Sequence, residues 1–287
     1  MKNLLLQTTI EGDPDDWHIG RFSHLAAFLA DIRDDAGNPV FNVTARNRVG
    51  KGTPDPVLSR LHESDVDQLW LFAVDVGDGL TEADCESISQ FRAMGRGMMV
   101  TRDHQDLGCS ICDLAGVGAA HHFHTHNLDP DPARRRRDDE VTTDITWPNY
   151  HSGANGDYQH VHAEGPVHPV LHDPESETGA IRYLPSHPHE GAVSAPDGDA
   201  SARVILTGAS EVTERGFNLA VAFERSARGG RAIAESTFHH FADYNWDPSA
   251  GCPSFVSEPP GDAIARFPEA LRSTHRYVRN IALWLAG

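Results

Sequence analysis

Histidine is the residue through which this chain could do chemistry. Fourteen of its 18 histidines lie between His104 and His240. They are clustered as HQD at 104–106, HHFHTH at 121–126, HSGANGDYQHVH at 151–162, HPHE at 187–190 and HHFADYNWD at 239–247. Imidazole both ligates metals and moves protons near neutral pH. Neutral histidines beside one or two carboxylates suit zinc or a similar divalent ion. Without a metal, the same groups form a histidine–carboxylate acid–base pair. Any one of these histidines is more simply read as a loop residue hydrogen-bonded to backbone; it is the clustering that points to a site.

Other chemistries lack their residues. No G-x-S-x-G occurs, and no cysteine sits at an elbow after the apolar run GMMVT. No G-x-G-x-x-G follows the first apolar run, and neither a Walker A sequence nor HExxH is present, so no nucleotide cofactor is expected. Lys2 and Lys51 are the only lysines, which removes Schiff-base chemistry. The cysteines are Cys85, Cys109, Cys112 and Cys252, expected to be reduced. The lone CxxC at 109–112 lacks the second pair of a structural zinc site and reads as two small apolar residues on a helix face. A net charge of −18 repels nucleic acid and anionic membranes. The basic run Arg134–Arg137 lies between acidic stretches that neutralise it. No segment approaches the ~20 apolar residues of a membrane span. The start carries only a short apolar run, unlike a signal peptide, so a cytoplasmic location is expected.

The elements that must position these histidines alternate in type. Asn3–Thr9 reads as a strand, followed by a helix from about Ile19 to Asp34 with Phe22, Leu25, Leu29 and Ile32 at helical spacing. Strands follow at Pro39–Arg46 and Leu69–Val74. Thr81 and Asp84 form a capping box at the head of a second helix, and Gly97–Thr101 is a fourth strand. This rhythm predicts an α/β fold, a mainly parallel central sheet with helices on both faces. A long histidine-rich insert at about 103–179 interrupts it; loops of that length are commonly functional. Strands resume at 181–185, 203–208, 218–224 and 231–237, and a helix near Leu271–Ala286 closes the chain. One domain, 1–287, with an elaborated loop is the simplest organisation.

In open parallel sheets ligands bind beyond the carboxyl ends of the strands. The residues there are Trp17 and His18; Asp78; Arg102, Asp103 and His104; His187, His189 and Glu190; and His239 and His240. From these the expected metal ligands are His104, His187, His189 and His240. The expected catalytic groups are Asp103, His104, Glu190 and His240. Trp17, His18, Asp78, Arg102 and His239 are expected to contact substrate. Zinc is the expected ion, with three protein ligands and an open fourth position.

The layout resembles the ThuA-like (trehalose-utilisation) family. The resemblance rests on NLLLQTT followed by WHIGRFSH, on LWLFAVDVGDGLTEADCESISQFRAMGRGMMVTRDH, on PVHPV at 166–170, on HPHEG after IRYLP, and on GGRAIAESTFHH before the terminal helix. It implies a three-layer, flavodoxin-like fold of the class I glutamine amidotransferase type without the nucleophilic cysteine. It also implies sugar utilisation, with histidines at strand ends, and it maps the family's strand-end histidines onto His104 and onto His239 or His240. The insert at 121–162 departs from the family pattern. Two readings follow: an enzyme acting on a small polar substrate such as a sugar, or a non-catalytic ligand-binding or assembly protein on the same fold. The apolar run IALWLA and the large insert also point to a homo-oligomer.

Overall fold

A computed structural model describes residues 1–287. The strands of its central sheet, in chain order, are β1 (Lys2–Thr8), β2 (Phe41–Arg46), β3 (Gln68–Phe72), β4 (Gly97–Thr101), β5 (His162–Ala163), β6 (Ala202–Ala209), β7 (Gly216–Phe223) and β8 (Ala232–Glu235). They form one eight-stranded sheet in the order β2-β1-β3-β4-β8-β7-β6-β5. The first five in that order run parallel, and the last three add on antiparallel. Every residue of β3 and β4 is buried, as befits strands covered on both faces.

Three longer helices cover the sheet: α1 (Ser23–Ala30), α2 (Glu82–Ala93) and α3 (Pro268–Leu285). Leu25 and Leu29 of α1 join Tyr277 and Ile281 of α3 over Leu4, Leu6 and Phe72. On the other face, Ile88 and Phe91 of α2 pack over Leu5, Leu69 and Leu71. The result is a three-layer α/β architecture, as the alternation predicts. The α2 helix begins with the expected capping box, in which Asp84 N–H donates to Thr81 Oγ1 at 3.3 Å and Thr81 N–H donates to Asp84 Oδ2 at 2.9 Å.

Several elements differ from expectation for local reasons. The first helix opens as a 3₁₀ turn, Ile19–Phe22, and ends at Ala30. The acids beyond it are disfavoured at a helix C-terminus, and Asp34 instead accepts from Ala36 and Asn38 N–H to shape a turn. The segment IRYLP gives only the short strand Tyr183–Pro185, which pairs with Tyr158–His160 outside the central sheet. The run IALWLA does not form an outer patch. Ile281, Ala282, Trp284 and Leu285 are buried in the chain's own core.

The 103–179 insert folds down as short turns and two-residue strands. His121–His122 pairs with Ala192–Val193. In the HHFHTH cluster three rings are taken up by nearby oxygens: the His121 ring lies 3.2 Å from Val117 O and 3.3 Å from Val100 O, His122 is 2.9 Å from Asn127 O and 2.6 Å from Ser194 Oγ, and His124 is 2.9 Å from Trp147 O. For this cluster the simpler reading applies. No helix is long and apolar enough to cross a membrane.

Candidate metal centre

Two neighbouring parallel strands, β4 and β8, end beside one another. Just past β4 comes Asp103, and just past β8 comes His239. The two strand ends are tied together by Phe238 N–H donating to Arg102 O at 2.9 Å. His187 reaches the same point from the loop after Tyr183–Pro185. Asp103, His187 and His239 are all buried, and one ligand atom of each lies within 4.8 Å of the others. Three donors bound to one ion at ~2.1 Å in a tetrahedron stand ~3.4 Å apart, so small side-chain rotations close the set around a cation.

The two imidazoles are held in one tautomer by a pair of asparagines. His187 Nδ1 lies 2.9 Å from Asn155 Oδ1, and His239 Nδ1 lies 2.9 Å from Asn245 Oδ1. Asn245 in turn donates to Asn155 Oδ1 at 2.8 Å. An amide oxygen can only accept, so each Nδ1 carries the proton and each Nε2 presents a lone pair. The rings stack with centroids 3.4 Å apart and planes 14° from parallel. Burial pushes the His187 imidazole down to about 3, and burial with the neighbouring His187 holds His239 well below its ordinary value. Both are neutral, the state a metal ligand needs. Burial opposes ionisation of Asp103, but His104 and His187 outweigh it and hold the carboxyl well below the usual range. Asp103 Oδ1 and His187 Nε2 have no hydrogen-bond partner although buried. Unpaired buried polar atoms are costly, and these two face each other at 3.6 Å. A cation between them would satisfy both.

The centre opens on a cleft of ≈ 360 Å³. His104 stands at its wall with Nδ1 3.2 Å from Asp103 Oδ2, which turns Nε2 away from that carboxylate. His189 packs edge-on to both His104 and His187, with centroids 5.2 and 5.4 Å away. Its Nε2 is 3.0 Å from Glu258 Oε1, and its Nδ1 is 3.3 Å from Asn149 Oδ1. Trp17 lies edge-on to His239 at 4.7 Å and forms part of the opposite wall.

The expected ligand set of His104, His187, His189 and His240 is therefore not what converges. Of the four, only His187 joins the central trio; His104 and His189 line its approach, and Asp103 and His239 complete it. His240 is the neighbour of His239 and turns the other way, into the interior. Its Nδ1 is 3.1 Å from Glu235 Oε2 and its Nε2 is 3.4 Å from Glu190 Oε2, with all three side chains fully buried. Glu190 also accepts from Ser152 Oγ at 2.5 Å and Ser236 Oγ at 2.8 Å, and Tyr277 Oη donates to Glu235. Burial alone would lower the His240 value, but Glu190 and Glu235 outweigh it and raise it to about 9. Glu190 and His240 thus make an internal ion cluster rather than facing the cleft.

Arg102 is also internal. Its guanidinium donates to His122 O, to Gln105 O at 2.6 Å and to Ala192 O at 3.4 Å, and lies over the Phe123 ring at 4.0 Å. It pins the Asp103 segment to the insert. Gly191 makes room for it, since a Cβ there would meet Arg102 Cζ at 2.6 Å and Asp103 O at 2.6 Å. His18 accepts from Gly20 N–H at 3.2 Å as a helix cap. Asp78 pairs with Lys51 at 2.8 Å in a separate depression. Neither lines the cleft.

Sequence reasoning missed Asn155, Asn245 and Glu258. Asn155 and Asn245 lie inside histidine-rich segments, so the signal was an amide among imidazoles. Glu258 sits in the loop SEPP with no local signal at all.

No protein-family profile matches the chain, and no curated protein matches it. Solved structures do. The mmIFT52 N-terminal domain is similar with a TM-score of 0.51 and 11% identity, over 99% of this chain and 97% of that one. Cytoplasmic protein STM1381 from Salmonella typhimurium LT2 is similar with a TM-score of 0.50 and 9% identity, over 97% and 99%. A protein from Parabacteroides merdae ATCC 43184 named as ThuA-like gives a TM-score of 0.47 and 13% identity, over 91% and 95%. At these identities, the first two likenesses speak for the fold alone.

Proposed function

We propose that the chain is a metal-dependent hydrolase acting on a small polar substrate in the cleft over Asp103, His187 and His239. The observation that carries this reading is the trio itself: two neutral imidazoles and one ionised carboxylate, their ligand atoms within 4.8 Å, with Asn155 and Asn245 aiming the imidazoles. The same donor set suits zinc, and an ion held this way would supply an acidified water and an electrophile for a carbonyl. His104 is the proton carrier. Its Nδ1 lies 3.2 Å from Asp103 Oδ2, and its Nε2 side would take a proton from an attacking water and return it to the leaving group. Asp103 serves both neighbours, one oxygen toward His187 and the other toward His104. Trp17 offers a flat surface for the substrate. Kinship with the ThuA-like family and a sugar derivative as substrate belong to this reading on the strength of the sequence motifs.

Elemental analysis before and after chelation tests it. The expected result is close to one zinc per chain, lost together in His187→Ala, His239→Ala and Asp103→Ala but kept in His104→Ala. Hydrolysis of simple aryl esters or anilides should then follow the metal content. A protein that takes up no divalent ion, or one that takes up iron and consumes oxygen rather than water, refutes the hydrolase.

A further inference from the structure

The cleft over the trio has an unusual charge balance for an enzyme of small polar metabolites. Asp16 and Glu258 stand on its walls, Asp103 lies at its floor, and no lysine or arginine lines it. Phosphate and carboxylate substrates are held by arginine or lysine forks or by helix N-termini. Here an incoming anion meets the carboxylates of Asp16 and Glu258 on the way in, with no lysine or arginine to hold it. The remaining wall is apolar. Phe238 lies beneath, and Val74 and Ile145 flank it. Phe255 is 61% and Val76 72% exposed, and both belong to the same cleft. Two large apolar side chains left open to water at one mouth are uncommon unless something covers them.

From this we infer that the cleft selects an uncharged substrate with an apolar flank beside the group to be hydrolysed, and rejects phosphorylated and carboxylated ones. The inference rests on the metal-centre reading above. The polar end of the substrate sits at Asp103, His187 and His239, and the flank lies along Phe255, Val76 and Trp17. Repulsion by Glu258 and Asp16, with no lysine or arginine fork beside the metal itself, works against anions. Glu258 is fixed at 3.0 Å from His189, so it cannot swing away to relieve that repulsion without breaking the pair.

The cobalt(II)-loaded full chain tests this without knowledge of the natural substrate. Three metal-directed probes are titrated, read by the visible cobalt spectrum: acetohydroxamate, benzohydroxamate and phenylphosphonate. Benzohydroxamate should bind at least tenfold more tightly than acetohydroxamate, and phenylphosphonate at least tenfold more weakly than benzohydroxamate. Phe255→Ser should remove most of the benzohydroxamate advantage and leave acetohydroxamate unchanged. Val76→Lys should tighten phenylphosphonate about fivefold or more. Both sites are exposed, so neither change threatens the fold. Absence of a cobalt spectrum overturns the metal centre and this inference with it. An intact cobalt spectrum with phenylphosphonate bound as tightly as benzohydroxamate overturns the inference alone, as does an unchanged preference in both variants.

Discussion

Replacing His240 by alanine should cost the protein much of its stability while leaving the metal trio chemically complete. The imidazolium lies between Glu190 at 3.4 Å and Glu235 at 3.1 Å, all three fully buried. Removing one member of a buried ion pair leaves an uncompensated charge and costs roughly 3–5 kcal/mol. A second route agrees. His240 titrates near 9 in the folded chain against about 6.5 when unfolded, and a shift of that size is worth roughly 3 kcal/mol. Native domains hold only about 5–15 kcal/mol in total, so the variant should melt far below the parent. The sign of the pH dependence follows from the raised value. The stabilisation is complete below about pH 6.5 and is lost as pH rises through about 9, where the folded imidazolium gives up its proton. Urea unfolding followed by tryptophan fluorescence at pH 6.5 and pH 9.5 measures both. The gap between parent and His240→Ala should be large at pH 6.5 and should shrink at pH 9.5. Adding Glu190→Gln and Glu235→Gln to the variant should recover part of the loss at pH 6.5, because the orphaned charges are gone. A variant within 1 kcal/mol of the parent at pH 6.5 (~1 kcal/mol being the ordinary cost of a point change), or a gap equal at both pH values, would refute the reasoning.

Other outcomes are expected elsewhere. Asn155→Ala or Asn245→Leu frees the tautomer of a trio histidine and should weaken zinc about 10–100-fold with the fold retained, by competition against a chromogenic chelator. His104→Ala should keep its zinc but lose about 10²–10⁴-fold in turnover on whichever ester the parent cleaves; unchanged turnover removes His104 as the proton carrier. Arg102→Lys keeps the charge but loses the planar fork on the carbonyls of His122, Gln105 and Ala192, and should lower stability by about 2 kcal/mol in urea. Thr81→Ala removes the α2 cap and should cost ~1 kcal/mol; a larger loss means that Thr81 does more than cap.

The fold was legible because its evidence is local. Apolar runs such as LWLF and GMMV are too short for a helix of their own and read as buried strands, and the Thr81–Asp84 pair announces a helix head within four residues. The edge at which Asp103, His187 and His239 gather was legible too, because strand ends carry polar chemistry and five of them did here. Which histidine points where was not legible. His239 and His240 are neighbours in sequence, yet one faces the cleft and the other the interior, and only packing decides between them. Arg102 and Asp103 divide in the same way: the guanidinium is drawn under Gly191 to backbone carbonyls, and the carboxylate is left for the cleft. The HHFHTH cluster overstated its case, since backbone oxygens and the Ser194 hydroxyl take up His121, His122 and His124. What the 151–162 cluster contributes is Asn155, an amide among imidazoles that holds the His187 ring.

The asparagine-linked trio also bears on how the chain reaches its native state. His239 and Asn245 are only six residues apart, but Asp103, Asn155 and His187 are separated from them and from one another by long stretches of chain and cannot find their partners by local closure. Loops of that length bring their ends together slowly, and contacts between them form after the nearby ones. Asp103 and His239 meet only where β8 is paired with β4, and Asn155 reaches His187 only with its own segment folded over them. The trio is therefore complete only in molecules that have finished folding. A divalent ion that binds only that state draws the population toward it by mass action. Metal occupancy of a purified sample would then double as a count of correctly finished molecules.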